Sequence, residues 1–440
     1  MSNQVVRAVE KAGVVGAGGG GFPAHVKAAA RAETLIANYA ECEPLVASDS
    51  AIIATEPELV IRGLSHMQEA TGAENVIIAT KAKRKGQNEI LERLMKKQGR
   101  FSLHFLDDVY PAGDEHVLVE EVTGRAVPQA GIPIQISVVV SNVSTLWRVA
   151  LALEGKAYTE RFVTVAGEVK RPSTLMVAVG TPISRVIEAC GGPTSASHAI
   201  IRGGPMMGEF IVDERAPVKK CTTAIIVLPK DNVLVQKRTI GISVAVRKAM
   251  ASCMQCMDCT FLCPRYLLGH QLFPHRTMRS VAFWVKGLPH EMASATLCCE
   301  CGLCGIFVCP MDLSPVAVYQ KIKSEFGRMD LRPRVSADAV PPRPERHGRH
   351  IPLDRLVNRL GLAKYEAGLP VKRELLETGQ VRIPLVEKWG RLRPIVRVGE
   401  TVRVGSMVAE PLGPGPGAPS HSGIEGKVTS LADDYVCIEG

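Results

Sequence analysis

No segment of this 440-residue chain offers the long, uninterrupted apolar run that a membrane helix requires. The most apolar stretch, Ile136 to Leu153, is broken by Asn142 and Arg148, and the opening MSNQVVRAVEKAGVVGAG lacks the apolar core of a signal peptide. We therefore expect no membrane span and a cytoplasmic location. Aromatic residues are scarce at 5%, and none interleave with basic residues as a base-stacking surface would need, so nucleic acid is not an expected partner. The net charge of +9 is local: between Val340 and Glu410, 14 Lys plus Arg face 8 Asp plus Glu, the balance of a solvated face or of a docking surface for an acidic partner. With 46% hydrophobic residues the chain is not disordered, and its length suits about three domains of ~150 residues.

Against these absences stand thirteen cysteines. A reducing cytosol disfavours disulfides, and tight cysteine clusters there usually hold metal. Cys253, Cys256, Cys259 and Cys263 stand in CMQCMDCTFLCP; Cys298, Cys301, Cys304 and Cys309 stand in CCECGLCGIFVCP, whose last gap is one residue longer. Three thiolates spaced this way can wrap one face of an iron-sulfur cube, while the fourth, carried off by the turn before Pro, reaches the other cube. The expected ligand sets therefore cross: Cys253, Cys256, Cys259 and Cys309 around one 4Fe-4S cluster, and Cys298, Cys301, Cys304 and Cys263 around the second. Two structural zinc sites are the alternative, but zinc calls for neither the third cysteine at this spacing nor the proline. Cys42, Cys190, Cys221, Cys299 and Cys437 read as buried structural thiols.

The apolar patterning predicts a multidomain α/β chain. Residues 1–158 alternate helical and strand-like runs: Val5, Val6 and Val9 share a helix face, Thr34 to Ala40, Asn75 to Thr80 and Ile136 to Ser141 read as buried strands, and Glu89 to Lys97 as a helix. Residues 159–238 read as a small α+β module with a helix over Pro182 to Cys190. Residues 239–330 carry the cysteine clusters among helices, residues 331–380 read as a basic linker containing VPPRPERHGRH, and residues 381–440 as a small β-domain of Val-rich strands and glycines.

The run GVVGAGGGGFPAHVK places Gly16, Gly18, Gly19, Gly20 and Gly21 before Phe22 and Lys27. Such a loop lets a phosphate or a flat ring approach the backbone, so it reads as a nucleotide or flavin site, with a flexible loop as the alternative because here a helix, not a strand, precedes it. It is followed by NYAECEP (Asn38 to Pro44), YPAGDEHVL (Tyr110 to Leu118) and SNVSTL (Ser141 to Leu146). That ordered set resembles the flavin-binding subunit family of respiratory complex I and the C subunit of Rnf-type complexes. The resemblance implies FMN held by Gly16, Gly18 to Gly21 and Asn38, with Asn142 and Thr145 closing the pocket. It implies Phe22 stacking on NADH, Lys27, Glu43 and Glu115 contacting it, and Glu41, Tyr110, Gly113 and Asp114 among the cofactor-binding segments. Ala40 and Asp114 depart from complex I, which has an acidic residue and Glu there.

Downstream, FVTVAGEVKRPSTLMVAVGTPISRVIEACGG resembles the SLBB module, a β-grasp-like unit, and VRVGETVRVGSMVAEP with GKV resembles a barrel-sandwich domain. The latter lacks a Met-Lys-Met hairpin, so Lys427 is not an expected lipoylation site. In Rnf C subunits the barrel-sandwich segment comes first; here it is last. That order resembles the PduS-type cobalamin reductase family of propanediol-utilisation bacterial microcompartments. The family implies an NADH-dependent oxidoreductase with FMN and two 4Fe-4S clusters, running from NADH through FMN, a first cluster and a second cluster to a corrinoid. A corrinoid adenosyltransferase and microcompartment shell proteins would be its partners. No D-x-H-x-x-G corrinoid motif is present. The alternatives are an Rnf-C-like dehydrogenase delivering electrons to ferredoxin or a radical-enzyme activase, and a non-enzymatic electron-relay subunit.

Overall fold

The computed structural model describes residues 2–96, 101–283, 292–329, 331, 336, 338–366, 368–413 and 415–440. In the N-terminal domain the apolar runs form an all-parallel sheet in the order Phe101–Leu106, Asn75–Lys81, Thr34–Tyr39, Val138–Asn142. The central Thr34–Tyr39 strand is buried along almost its whole length, as a parallel sheet covered on both faces requires. One cover is the helix pair Pro57–Thr71 and Val143–Leu153. Their backbones touch: a Cβ on Gly63 would lie 1.8 Å from the Leu146 carbonyl oxygen. Val5 and Val9 on the Ser2–Lys11 helix join the same core.

The helix expected from Glu89 begins a turn earlier, over Lys85–Lys96, and Lys97 lies outside the described residues. The strand expected from Ile136 begins at Val138, because Pro133–Ile136 winds as a 3-10 turn that ends on Ser137 at a left-handed φ of 58°. The helix over 182–190 spans Ile183–Ala189, with Pro182 preceding its first turn.

The second module is a six-stranded sheet ordered Val371–Leu375, Ser173–Ala178, Glu160–Gly167, Ala224–Pro229, His198–Arg202, Glu209–Ile211. Its first strand comes from the stretch expected to be a linker. From Pro344 onward other segments of residues 331–380 also depart from that expectation. Ile351–Pro352 pairs antiparallel with Val109–Tyr110, and the Leu353–Arg359 helix buries Leu353, Leu356 and Val357. Arg346, 3% exposed, forms ion pairs with Glu120 and Glu121. The Pro, Arg and His content disguised a short apolar helix face, and part of the basic excess neutralises buried carboxylates instead of facing solvent.

Two four-stranded antiparallel sheets build the C-terminal β region, Gln380–Pro384 with Tyr435–Glu439, Gly426–Leu431 and Thr401–Val402, and Val386–Glu387 with Gly390–Pro394, Met407–Pro411 and Ser420–His421. Their shared core includes Ile383, Val402, Val408, Val428 and Val436. Lys427 is exposed within a strand. The Lys220 Nζ ties this region to the N-terminal one, donating to the Gly13 carbonyl at 2.8 Å and the Pro419 carbonyl at 2.6 Å; burial lowers its pKa to about 8. Among the described residues no helix is long and apolar enough to cross a membrane.

Candidate redox site

The glycine loop is shaped by its own backbone and by two buried side chains. The Gly16 N–H donates to the Phe22 carbonyl at 2.7 Å and the Gly21 N–H to the Gly16 carbonyl at 2.9 Å, closing a tight turn. The Ala17 N–H donates to Thr145 Oγ1 at 2.9 Å, while Arg161, 2% exposed, donates to the Ala17 carbonyl at 3.2 Å. Gly18 lies against Asn142, where a Cβ would come within 2.8 Å of Cγ; Gly19 and Gly20 face open space. Asn142 caps the Val143–Leu153 helix and donates to Asp49 Oδ2 at 2.6 Å and the Asn38 carbonyl at 3.4 Å. Asn38 in turn donates to the Gly113 carbonyl at 3.1 Å. Lys27, on the Ala24–Ala28 helix, pairs with Glu115 at 2.6 Å and donates to the Val140 carbonyl at 2.8 Å. The structure thus gathers Gly16, Gly18 to Gly21, Phe22, Lys27, Asn38, Gly113, Glu115, Asn142 and Thr145 around one end of the parallel sheet, where strand ends and a helix N-terminus meet.

Four expected residues turn away. The Glu41 carboxylate faces the start of the Ser48–Thr55 helix, accepting from the Asp49 N–H at 2.7 Å and from the Ser50 hydroxyl; burial and Asp49 raise its pKa to about 7. The Glu43 carboxylate accepts from the Met206 and Met207 amides at 2.8 and 3.0 Å, which fastens the second module, and burial raises it to about 7 as well. The Tyr110 hydroxyl donates to the Cys301 carbonyl at 2.9 Å. Asp114 caps the Glu115–Thr123 helix and pairs with Arg265 at 2.9 Å.

The eight clustered cysteines fall into two neighbouring groups. Cys253, Cys256, Cys259 and Cys309 line one pocket of about 390 Å³ together with Met254 and Met278. Cys263 sits with the other group: it packs with Leu272, Ala295 and Tyr319 in the small core against which Cys298 also lies. Both loops wrap alike: the residues two and four places after the first cysteine are left-handed, Gln255 and Met257 at φ 56° and 69°, Glu300 and Gly302 at 60° and 79°. Donors meet the sulfurs, with the Glu300 N–H 3.3 Å from Cys298 Sγ, the Leu313 N–H 3.4 Å from Cys309 Sγ and Gln255 Nε2 3.0 Å from Cys253 Sγ. The extra residue before Cys309 is absorbed by a π-helical turn over Cys304–Val308, where the first loop has the α-helical turn Asp258–Phe261. Among the described residues no three His, Cys, Asp or Glu close on a single-ion point. Four thiols around a volume, met by N–H donors, suit a multi-iron group with sulfide in the gap.

The two groups differ in depth. Cys301, Leu303 and Ile306 belong to the core that contains Ile36, Val140 and Leu118 of the N-terminal domain. The Cys253 group packs on Met278, Leu313 and Val318, and Cys256 and Met254 are exposed. The set holding Cys298, Cys301, Cys304 and Cys263 lies next to the glycine-loop domain and the Cys253 set lies outside it. Chain order carried no information about depth, because the later loop is the one that inserts into the shared core. Arg265, two residues after Cys263, reaches back to Asp114 of the N-terminal domain. Of the five remaining cysteines, Cys42 and Cys190 are buried while Cys221, Cys299 and Cys437 are half-buried. Asp49, Arg161 and Arg265 were not found from sequence. Arg265, directly after the Cys-Pro pair, had a local signal; the others act across more than 40 residues.

Family comparisons agree with this layout. Residues 9–151 match the Nuo51 FMN-binding domain, residues 162–210 the SLBB domain and residues 252–314 a 4Fe-4S dicluster domain. The chain is 38% identical over 98% of its length to "Cobalamin reductase PduS" of Citrobacter freundii, covering 95% of that protein. It is 31% identical over 60% of its length to one component of the Na(+)-translocating ferredoxin:NAD(+) oxidoreductase complex of Acetobacterium woodii, covering 59% of that protein. An NAD+-reducing [NiFe]-hydrogenase crystal structure shares the fold with a TM-score of 0.51 at 18% identity, over 76% of this chain and 64% of that longer one. With its FMN-binding domain, its SLBB domain and its iron-sulfur domain in this order, the chain belongs to the PduS-type cobalamin reductase family of flavin and iron-sulfur oxidoreductases.

Proposed function

We propose that the protein oxidises NADH at the glycine-loop end of the parallel sheet and delivers single electrons, through two 4Fe-4S clusters, to a corrinoid. Each NADH would become NAD+ and a proton, and its two electrons would take cob(III)alamin to cob(I)alamin in two one-electron steps. A bound flavin supplies the exchange between paired and single electrons, and the protein positions and tunes it. Gly16, Gly18 to Gly21, Asn38, Asn142 and Thr145 would hold FMN, with backbone amides at its phosphate; Phe22, Lys27 and Glu115 would meet NADH. Gly113 supplies a carbonyl to orient Asn38. Glu41, Glu43, Tyr110 and Asp114 fix the surrounding loops.

The observation that carries this reading is the wedged position of the Cys263, Cys298, Cys301 and Cys304 set between the flavin domain and the exposed Cys253 set. Names of relatives supply the corrinoid and the nicotinamide nucleotide: cobalamin reductase in one case, ferredoxin:NAD(+) oxidoreductase in the other. A propanediol-utilisation microcompartment, with its shell proteins and a corrinoid adenosyltransferase, is the setting this family membership suggests.

The test is an anaerobic titration of cofactor-replete protein with NADH, followed by hydroxocobalamin or ferredoxin. Flavin bleaching and then appearance of the cob(II)alamin and cob(I)alamin spectra are expected. Reduction of ferredoxin alone would move the assignment to an Rnf-C-like dehydrogenase, and absence of flavin to a relay subunit.

A further inference from the structure

The glycine loop is not covered by its own domain alone. A hairpin of the C-terminal region, Val386–Glu387 and Gly390–Pro394, carries Lys388 and Trp389 at its tip. The Trp389 indole N–H donates to the Gly20 carbonyl at 2.8 Å, and its ring meets Phe22 edge to face with centroids 5.1 Å apart and planes at 89°. A Cβ on Gly21 would lie 3.8 Å from the Trp389 ring and 4.0 Å from Lys388. Trp389 nonetheless remains 42% exposed, beside the open Gly18 to Gly20 segment. Buried Lys220 and the Gly13 to Pro419 contact hold the hairpin's domain in register with the loop.

An interdomain pin alone would not require a large aromatic surface left in solvent. Two aromatic rings flanking a glycine loop suit a ligand with a flat heteroaromatic ring joined to a pyrophosphate.

We propose that Trp389 is a positioning residue of the nicotinamide dinucleotide site, so that the C-terminal domain supplies one wall of the site that the N-terminal domain begins. The indole N–H sets the Gly20 carbonyl, and the indole ring, with Phe22, bounds the space in which the dinucleotide lies. This inference rests on the NADH reading above.

The test uses the full chain with its cofactors, an artificial one-electron acceptor, and Trp389→Ala and Trp389→Phe. The expected result for Trp389→Ala is a KM for NADH raised about five- to tenfold with kcat nearly unchanged, and for Trp389→Phe, recovery of most of that loss. Independently of turnover, in protein whose flavin and clusters have first been chemically reduced so that bound NADH persists, excitation of tryptophan in the wild type should sensitise emission from NADH, and Trp389→Phe should remove most of that transfer. A purely structural role would lower flavin content or kcat in both variants and leave KM and the transfer signal alone; that result overturns the proposal while leaving NADH oxidation intact. A wild type that does not oxidise NADH overturns both.

Discussion

Cys301→Ala should abolish NADH-dependent reduction of both iron-sulfur centres and of the corrinoid, while NADH still bleaches the flavin. Cys256→Ala should leave the inner centre reducible by NADH and remove only the outer centre and the corrinoid reaction. The asymmetry follows from depth. Cys301 belongs to the core shared with the flavin domain, and its carbonyl accepts from Tyr110. Cys256 is exposed in the pocket it shares with Cys253, Cys259 and Cys309. Electron paramagnetic resonance of NADH-reduced samples distinguishes the centres. The opposite asymmetry, with Cys256→Ala silencing both centres, would contradict the packing of the two groups. Crossed ligation makes a second comparison: Cys263→Ala should resemble Cys301→Ala, although Cys263 lies in the first motif.

Arg265→Ala should destabilise the protein more than any other single change at the junction. Arg265 is buried against Asp114, whose other partners are the first amides of the Glu115–Thr123 helix. Removing one member of a buried pair strands the other charge, at a cost of about 3–5 kcal/mol, equivalent to a melting temperature lower by roughly 10 °C. Burial pushes the Asp114 carboxyl up, but Arg265, His116 and the helix amides together hold it below the usual carboxylate range. A depressed carboxylate stabilises the fold fully above its unfolded pKa of about 3.9, and that contribution is lost as pH falls through the folded value. The Arg265→Ala penalty should therefore be complete at neutral pH and shrink in acid. The double variant with Asp114→Asn should recover much of the loss, because no uncompensated charge remains. Thermal unfolding across pH checks both points; an unchanged melting temperature at pH 7 would show that the pair is not what joins the two domains.

The parts of the site built from short-range patterns were legible in the sequence. Three cysteines at two-residue gaps form a loop whatever surrounds them, and both loops show the same left-handed positions. The glycine run, Asn142 and Thr145 were found as segments, and the structure brings Thr145 into a hydrogen bond with Ala17 of that run and Asn142 against Gly18. What escaped was long-range. Asp114 and Tyr110 looked like pocket residues, but their partners, Arg265 and the Cys301 carbonyl, lie more than 150 residues away. Trp389 stands 369 residues from Gly20. The linker expectation over 331–380 failed because Pro and Arg dominate the composition while Leu353, Leu356 and Val357 supply the burial. No local signal separates an arginine that neutralises a buried carboxylate from one in solvent.

The central claim is that eight cysteines in two crossed sets hold iron and sulfide beside a flavin. Quantifying metal, acid-labile sulfide and flavin in protein purified without oxygen tests it directly. The expected result is about eight irons and about eight sulfides per chain, with one FMN and little zinc. Zinc at about two per chain, without labile sulfide, would contradict it.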